Sequence, residues 1–519
     1  MRPFQEFRLW ARRAPAPERI SATVATVLVI ALVVWLLVPG SGPKSTNLAA
    51  TGGGIGGEAG VGAEANGATG AAGAGAGAAA GGAAAGATGT TGPAGAAAAK
   101  TGAAAAAGGA NAGLAPGCPQ VPAGVPGVSA SQIKIAVTLT NIVGPAANSL
   151  FGIASPDEQK TWYEAQIDDL NKNGGVGCRK IVPTYYPTNP TDQNELQQRC
   201  LQIVQSGVFA EVDNGSYAIY PQKHCFAQHQ MAFFGGYMLF RSEIDSFYPY
   251  LFNITEFDSL DHNTVFGLRD RGFFNFPAKE KLGFIYRDCD KPLVDKWLGW
   301  IQQAGIPSSR LVTYDFGCPQ VFASPNDIQA AVLKFQSNGV THVTGHNIVG
   351  DLANFTNVAA QQNFKPLYGL PDESMIDIAY GSQAPNPNEM ANAITIAPGR
   401  SGEEHTPGSV PSPGTAKCNA IYAAHGIKPT YQLAPGAGYV CTQLWMFQAA
   451  INNAPALHGA ALAAGLQRAR SIQSSYPAGP NDYSGLRQTT GGQFWRVAEF
   501  HLACKCWQII DPNFHTSFP

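Results

Sequence analysis

Ile133–Leu139 reads IKIAVTL and, after an intervening loop, Asp157–Leu170 reads DEQKTWYEAQIDDL. The first is a short apolar run of the length expected for a buried strand. The second has the spacing of an amphipathic helix and stops at Asn173-Gly174-Gly175. A buried strand leading into a helix is the repeating unit of a parallel sheet, because parallel neighbours require a crossover connection.

The alternation continues outward from this pair. Lys180–Tyr186 reads as a strand interrupted by Pro183, which suits a sheet edge or a bulge. A helix is predicted over Glu195–Ser206, a short strand over Val208–Val212, a helix over Tyr220–Gln230 and a strand over Met231–Phe234. The rhythm then restarts with a helix near Asn263–Phe276, strand Lys281–Tyr286, helix Pro292–Ala304 and strand Arg310–Tyr314. Helix Asn326–Asn338, strand Val340–Thr344, helix Leu352–Gln362 and strand Leu367–Leu370 complete it. The simplest account is an α/β chain of two doubly wound parallel-sheet lobes.

Upstream, Ile20–Val38 (ISATVATVLVIALVVWLLV) carries no charge over nineteen residues, about 28 Å of helix and close to the hydrocarbon thickness of a bilayer. Arg2, Arg8, Arg12, Arg13 and Arg19 precede it, and the first Lys beyond it is Lys44. The positive-inside bias then makes 1–19 a cytoplasmic tail, 20–38 a transmembrane anchor or signal segment, and everything beyond it extracytoplasmic. A run longer than a secretory h-region favours the retained anchor, with cleavage near Asn47-Leu48-Ala49-Ala50, and secretion, as the alternative. Between Ala49 and Ala115, 52 of 67 residues are Ala or Gly. Such a tract has too little to bury to offset its ordering entropy, so 39–117 is expected to be a disordered linker. Gly52, Gly54 and Gly57 match a dinucleotide-binding spacing, but no strand precedes them and no helix follows.

Composition narrows the function. Lys and Arg total 33 against 35 Asp and Glu, with no basic stripe, so no nucleic-acid partner is expected. All ten cysteines lie beyond the apolar run, an even number outside the cytoplasm, which favours disulfides. There is no G-x-S-x-G elbow, no H-E-x-x-H helix and no phosphate loop, so no enzyme activity, cofactor or metal is expected. His342 and His346 fall on a strand and the loop after it and read as structural. Pro398–Gly414, rich in Gly, Pro and Ser, reads as a mobile loop.

Ligands of open α/β sheets sit beyond the carboxyl ends of the strands. On the first lobe those positions are Thr140 and Asn141, then Gly215, Ser216 and Tyr217 in the turn opened by Asn214, then Gly236 and Tyr237. On the second they are Tyr286 and Arg287, then His346, then Asp372 and Glu373. Gly-bearing turns expose N–H groups to a carboxylate, and a carboxylate side chain opposite would complement an ammonium.

Several phrases in fixed order carry a resemblance over about Ser129 to Asp511. They are IKIAVTLT followed by Gly144-Pro145, Asn173-Gly174-Gly175-Val176-Gly177, Gly215-Ser216, and Phe252-Asn253-Ile254-Thr255. Gly283-Phe284-Ile285-Tyr286-Arg287-Asp288 and the late helix Gly438–Asn452 follow. In this the chain resembles the type I periplasmic solute-binding proteins, in particular the branched-chain-amino-acid receptors of ABC importers. The resemblance implies a three-crossing hinge, with 118–255 and 400–490 as lobe 1 and 256–399 and 491–519 as lobe 2. The third crossing would fall near Gly491-Gly492, with Phe494–Ile510 returning to the second lobe.

The implied topology suggests the pairs Cys118–Cys178, Cys200–Cys225, Cys289–Cys318 and Cys418–Cys441, leaving Cys504 with Cys506. It also implies that Gly215-Ser216 meets a solute's carboxylate and that Asp372 or Glu373 meets its amino group. The Asn214-Gly215-Ser216-Tyr217 and Gly235-Gly236-Tyr237 turns depart from the family's hydroxyl-rich pattern. The function implied is capture of a small polar solute, an amino acid or related compound, for an ABC permease complex. The chain would stand at the outer face of the membrane on its N-terminal helix. A ligand sensor without transport is the alternative, and a hydrolase comes third.

Overall fold

The computed structural model describes residues 109–516 apart from 143, 145–147, 150–152, 214–219, 236–238, 289–290, 318–322, 347, 349–350, 373–383, 431–432, 480, 486 and 493. The tail, the apolar segment Ile20–Val38 and most of the Ala/Gly tract therefore lie outside the described residues. Among the described residues no helix is long and apolar enough to cross a membrane.

Strand β1 (Gln132–Thr140) is buried along almost its whole length. It runs into helix α1 (Pro156–Lys172), whose start is fixed by Ser155, its Oγ accepting from the Glu158 N–H at 3.2 Å, and by Pro156 in the first turn. The helix stops where Gly174 and Gly175 both take positive φ. Then come β2 (Lys180–Thr188), α2 (Gln193–Gln205), β3 (Ala210–Asp213), α3 (Tyr220–Gln228), β4 (Ala232–Phe234), α4 (Arg241–Phe247) and β5 (Leu251–Phe252). The five strands form a parallel sheet in the order β2-β1-β3-β4-β5. Strand β2 lies at its edge, where Pro183 breaks no ladder bond of an inner strand.

The second series is α5 (Phe257–Asp270), β6 (Lys281–Tyr286), α6 (Lys291–Gln303), β7 (Leu311–Asp315), α7 (Pro325–Ser337), β8 (Val340–His346), α8 (Asp351–Gln361), β9 (Leu367–Pro371) and β10 (Ile394–Ala397). Three helices follow, α9 (Pro413–Ala424), α10 (Ala434–Asn452) and α11 (Ala461–Ala469). A two-stranded ribbon of β11 (Ser471–Ile472) and β12 (Asn481–Asp482) leads to the closing pair β13 (Phe494–His501) and β14 (Cys506–Thr516). The second sheet runs β14-β13-β10-β9-β8-β6-β7.

Each sheet is covered on both faces. On the first, one core unites Trp162, Tyr422, Leu444, Phe447 and Leu462, and another unites Cys200, Ile203, Cys225 and Phe226. On the second, Val265, Leu268, Trp297 and Ile301 fill one face, and Ile328, Phe335, Leu352 and Phe355 the other. Because α9 to α11 contribute to the first sheet's core while β13 and β14 join the second sheet, the chain passes between the two layers after β5, after β10 and before β13. The first and last passages run side by side: the Asn253 N–H donates to Thr489 O at 2.9 Å, and the Gly491 N–H to Asn253 O at 3.3 Å. Gly492 has φ +83°, and a Cβ there would lie 2.1 Å from Thr255 Oγ1.

Four of the five suggested disulfides are present, Cys118–Cys178, Cys200–Cys225, Cys418–Cys441 and Cys504–Cys506. Cys289 and Cys318 lie outside the described residues.

Several local expectations need correction. The second sheet is mixed, not parallel throughout: β13 and β14 are antiparallel to their neighbours, so the segment expected to return over Phe494–Ile510 joins the second sheet as a hairpin turned at Leu502–Lys505. The helix placed at Asn263–Phe276 begins earlier, at Phe257, and ends before Gly272, whose φ of +75° does not continue a helix. The stretch from Pro398 to Gly414 is not a free loop. Arg400, Ser401 and Glu403 are buried, and Ser412 caps α9 by accepting from the Thr415 N–H at 3.3 Å.

Candidate functional site

The carboxyl end of β1 is clamped by two buried amides. Gln159 of α1 accepts from the Thr140 N–H and donates to Thr140 O and Ala154 O, each at 2.8 Å. Asn148 donates to the same two carbonyls at 2.8 and 2.9 Å and accepts from the Ile142 N–H at 2.8 Å. Thr140 is buried, whereas Asn141 is partly open, its Oδ1 accepting from the Gly144 N–H at 3.0 Å. The carboxyl end of β1 is therefore tied to Ile142 and Ala154, with Asn141 partly open beside it.

Gly215, Ser216, Tyr217, Gly236 and Tyr237, with Asn214, lie outside the described residues, but the strand ends that present them do not. Gln443 of α10 donates to Gly235 O at 3.3 Å and to Asp213 O, and accepts from the Tyr163 hydroxyl at 2.9 Å. One side chain thus ties the ends of β3 and β4 to each other and to α1. Glu211 and Asp213 are both fully buried on β3. Burial first, and then the neighbouring Asp213, push the Glu211 carboxyl well above the usual carboxylate range.

On the second sheet Tyr286 is half-buried at the end of β6, its ring stacked on Phe284 at 5.3 Å. Arg287, the next residue, turns inward. Its Nε donates to Asp351 Oδ2 at 3.1 Å and its Nη1 to Gly317 O at 3.1 Å, while the other Asp351 oxygen accepts from the Ala323 N–H at 2.7 Å. His346 at the end of β8 is also interior: Nδ1 lies 2.9 Å from the Asp261 carboxylate of α5, and both residues are fully buried beside Phe257 and Trp297. Burial raises the Asp261 carboxyl well above its ordinary value.

Asp372, just past β9, accepts from the Ser401 hydroxyl and, at 3.1 Å, from the Tyr476 hydroxyl. Burial pushes its carboxyl up, opposed by those two bonds. Glu373 lies outside the described residues. Nearby, Glu403 accepts from Arg496 at 2.6 Å. Among the described residues no three His, Cys, Asp or Glu side chains are grouped so as to hold a metal ion.

Of the sequence-derived candidates, Asn141 and Tyr286 present partly open side chains at strand ends, whereas Arg287, His346 and Asp372 are each engaged by buried neighbours. Sequence reasoning missed Gln159, Asn148 and Gln443. A signal for the first existed: Gln159, Tyr163, Gln166 and Leu170 fall at spacings of four, three and four on the buried face of α1, so a polar residue in that stripe needs an internal partner.

The sequence matches no family model and no curated protein. Solved structures do share the fold. An ABC transporter substrate-binding protein from Desulfitobacterium hafniense in complex with Leu aligns with a TM-score of 0.52 at 14% identity, over 73% of this chain and 100% of that one. A periplasmic binding protein type 1 from Bordetella pertussis Tohama I aligns at 0.56 and 14%, over 73% and 100%. A solute binding protein of an ABC transporter from Rhodopseudomonas palustris BisB5, in complex with 3,4-dihydroxy benzoic acid, aligns at 0.52 and 13%, over 75% and 98%. The described residues thus have the fold of the type I periplasmic binding proteins.

Proposed function

We propose that this chain is an extracytoplasmic solute-binding protein that captures a small carboxylate-bearing solute between two lobes and delivers it to an ABC permease complex. The observation that supports this most is the pairing of two separately cored α/β sheets joined by three chain passages, a fold shared with the solute-binding proteins named above. The lobes in this reading are 118–255 with 400–490, and 256–399 with 491–519. Ile20–Val38 holds them at the outer face of the membrane.

In this reading the solute's carboxylate is received by N–H groups and hydroxyls of Asn214, Gly215, Ser216 and Tyr217 and of Asn141, with Gly236 and Tyr237 as further contacts. Tyr286 and Glu373 approach from the second lobe. Arg287 and His346 brace the floor of that lobe from within. Two of the solved neighbours are in complex with Leu and with 3,4-dihydroxy benzoic acid, and the chemistry common to both is a carboxylate.

A thermal-shift screen with aliphatic amino acids, hydroxybenzoates, short-chain fatty acids and neutral sugars tests this. A compound bound only by the folded state raises the melting temperature by mass action. The expected result is a rise with at least one carboxylate class and loss of that rise in Ser216→Ala. No rise with any carboxylate at millimolar concentration would overturn the reading.

A further inference from the structure

Ser474–Ala478, the segment between β11 and β12, touches helices packed on the first sheet and chain leaving the second, and close approaches grip it on both sides. On the first-sheet side, a Cβ on Gly414 of α9 would lie 2.0 Å from Ser474 O, and one on Gly438 of α10 3.0 Å from Ser475 Oγ. Thr442 of α10 accepts from the N–H groups of Ser475 and Tyr476 at 3.0 and 3.1 Å. The Tyr439 ring meets the Tyr476 ring edge-on at 4.4 Å.

On the second-sheet side, Tyr476 donates to Asp372 Oδ2 at 3.1 Å and the Ala478 N–H donates to Pro398 O at 2.8 Å. A Cβ on Gly399 would lie 2.3 Å from Asp372 Oδ2 and 2.7 Å from the Tyr476 ring. Ser401 completes the arrangement by donating to the other oxygen of Asp372.

We infer that Ser474–Ala478 is a clasp fastened by Asp372, Ser401 and Tyr476, and that making and breaking it sets how far the two lobes open. Two features carry this. The strap is bonded to helices packed on the first sheet and to chain leaving two strands of the second, so the layers separate only if one set of bonds breaks. Beside the single backbone bond from Ala478 to Pro398, the second-sheet set is side-chain chemistry, a carboxylate accepting from two hydroxyls, which re-forms on closure without refolding an element. Asp372 is then a positioning residue for closure, not the partner of a solute's amino group. The inference rests on the two-lobe reading above and extends it to regulation of the same crevice.

The test uses the exported part of the chain without any solute, so failure of solute binding and failure of the clasp are read separately. Tyr476→Phe and Asp372→Asn are compared with the parent by small-angle scattering and by hydrogen exchange. The expected result is a larger radius of gyration in both variants and roughly tenfold faster exchange at the Ala478 amide, as for loss of one net hydrogen bond. Ser401→Ala, the mildest change, should move both readouts in the same direction. A merely structural role predicts lower melting temperature with an unchanged radius. That outcome, or unchanged exchange in Tyr476→Phe, overturns the inference.

Discussion

Arg287 shows how a residue's type and its placement diverge. Its position just past β6 suggests a solute contact, yet its guanidinium is spent on Asp351, which is fully buried. Removing one partner of such a pair leaves a buried charge uncompensated, so Arg287→Ala should lower stability by about 3–5 kcal/mol in urea unfolding. Glu256 gives a pH-dependent counterpart. Burial lifts its carboxyl from 4.5 to about 7, against the Ser259 hydroxyl 2.7 Å away and Arg241. A raised folded-state value means that the protonated form is favoured by folding. Its stabilising contribution is complete below about pH 4.5 and lost as pH rises through about 7. Glu256→Gln should flatten the stability profile across that window by on the order of 3 kcal/mol; an unchanged profile would place the titration elsewhere. None of this was legible in sequence, because a charged residue at a strand end looks the same whether it faces solvent or a partner sixty residues away.

Among the elements, α1 was the most legible and also the most instructive. Its apolar spacing and its Asn173-Gly174-Gly175 stop are local signals and located it to within two residues at either end. The partners of its buried Gln159 were not legible, since they are backbone groups of Thr140 and Ala154. Gln159→Ala should leave the buried Thr140 N–H without its acceptor, while Thr140 O keeps Asn148, at a cost of about 1–3 kcal/mol, and weaken any solute affinity through displacement of Asn141. Calorimetry on the folded variant separates the two effects. Helices α2 and α3 are joined by Cys200–Cys225, a span of 25 residues. Replacing both cysteines by Ala should cost about 3 kcal/mol, read as a lower urea midpoint.

For the whole molecule, the passages between layers hold backbone that leaves no room for a side chain at Gly492. Gly492→Ala would put a Cβ against Thr255 Oγ1 in a backbone conformation that only Gly adopts without strain, so a loss of about 1–3 kcal/mol or more in thermal unfolding is expected. The alternation of short buried strands with helices determined the α/β class, the restart of the series after β5 and, through the family resemblance, the second return of the chain. Those features depend on hydrophobic period and on Gly, Pro and Ser at element ends, which act over a few residues. What only the tertiary structure decided was the antiparallel β13–β14 addition to the second sheet, the inward commitment of Arg287, His346 and Asp372, and the ties made by Gln443 and by Ser474–Ala478. Each of these is a hydrogen bond or ion pair between segments far apart in the chain, and its energy depends on burial that no local stretch of sequence specifies.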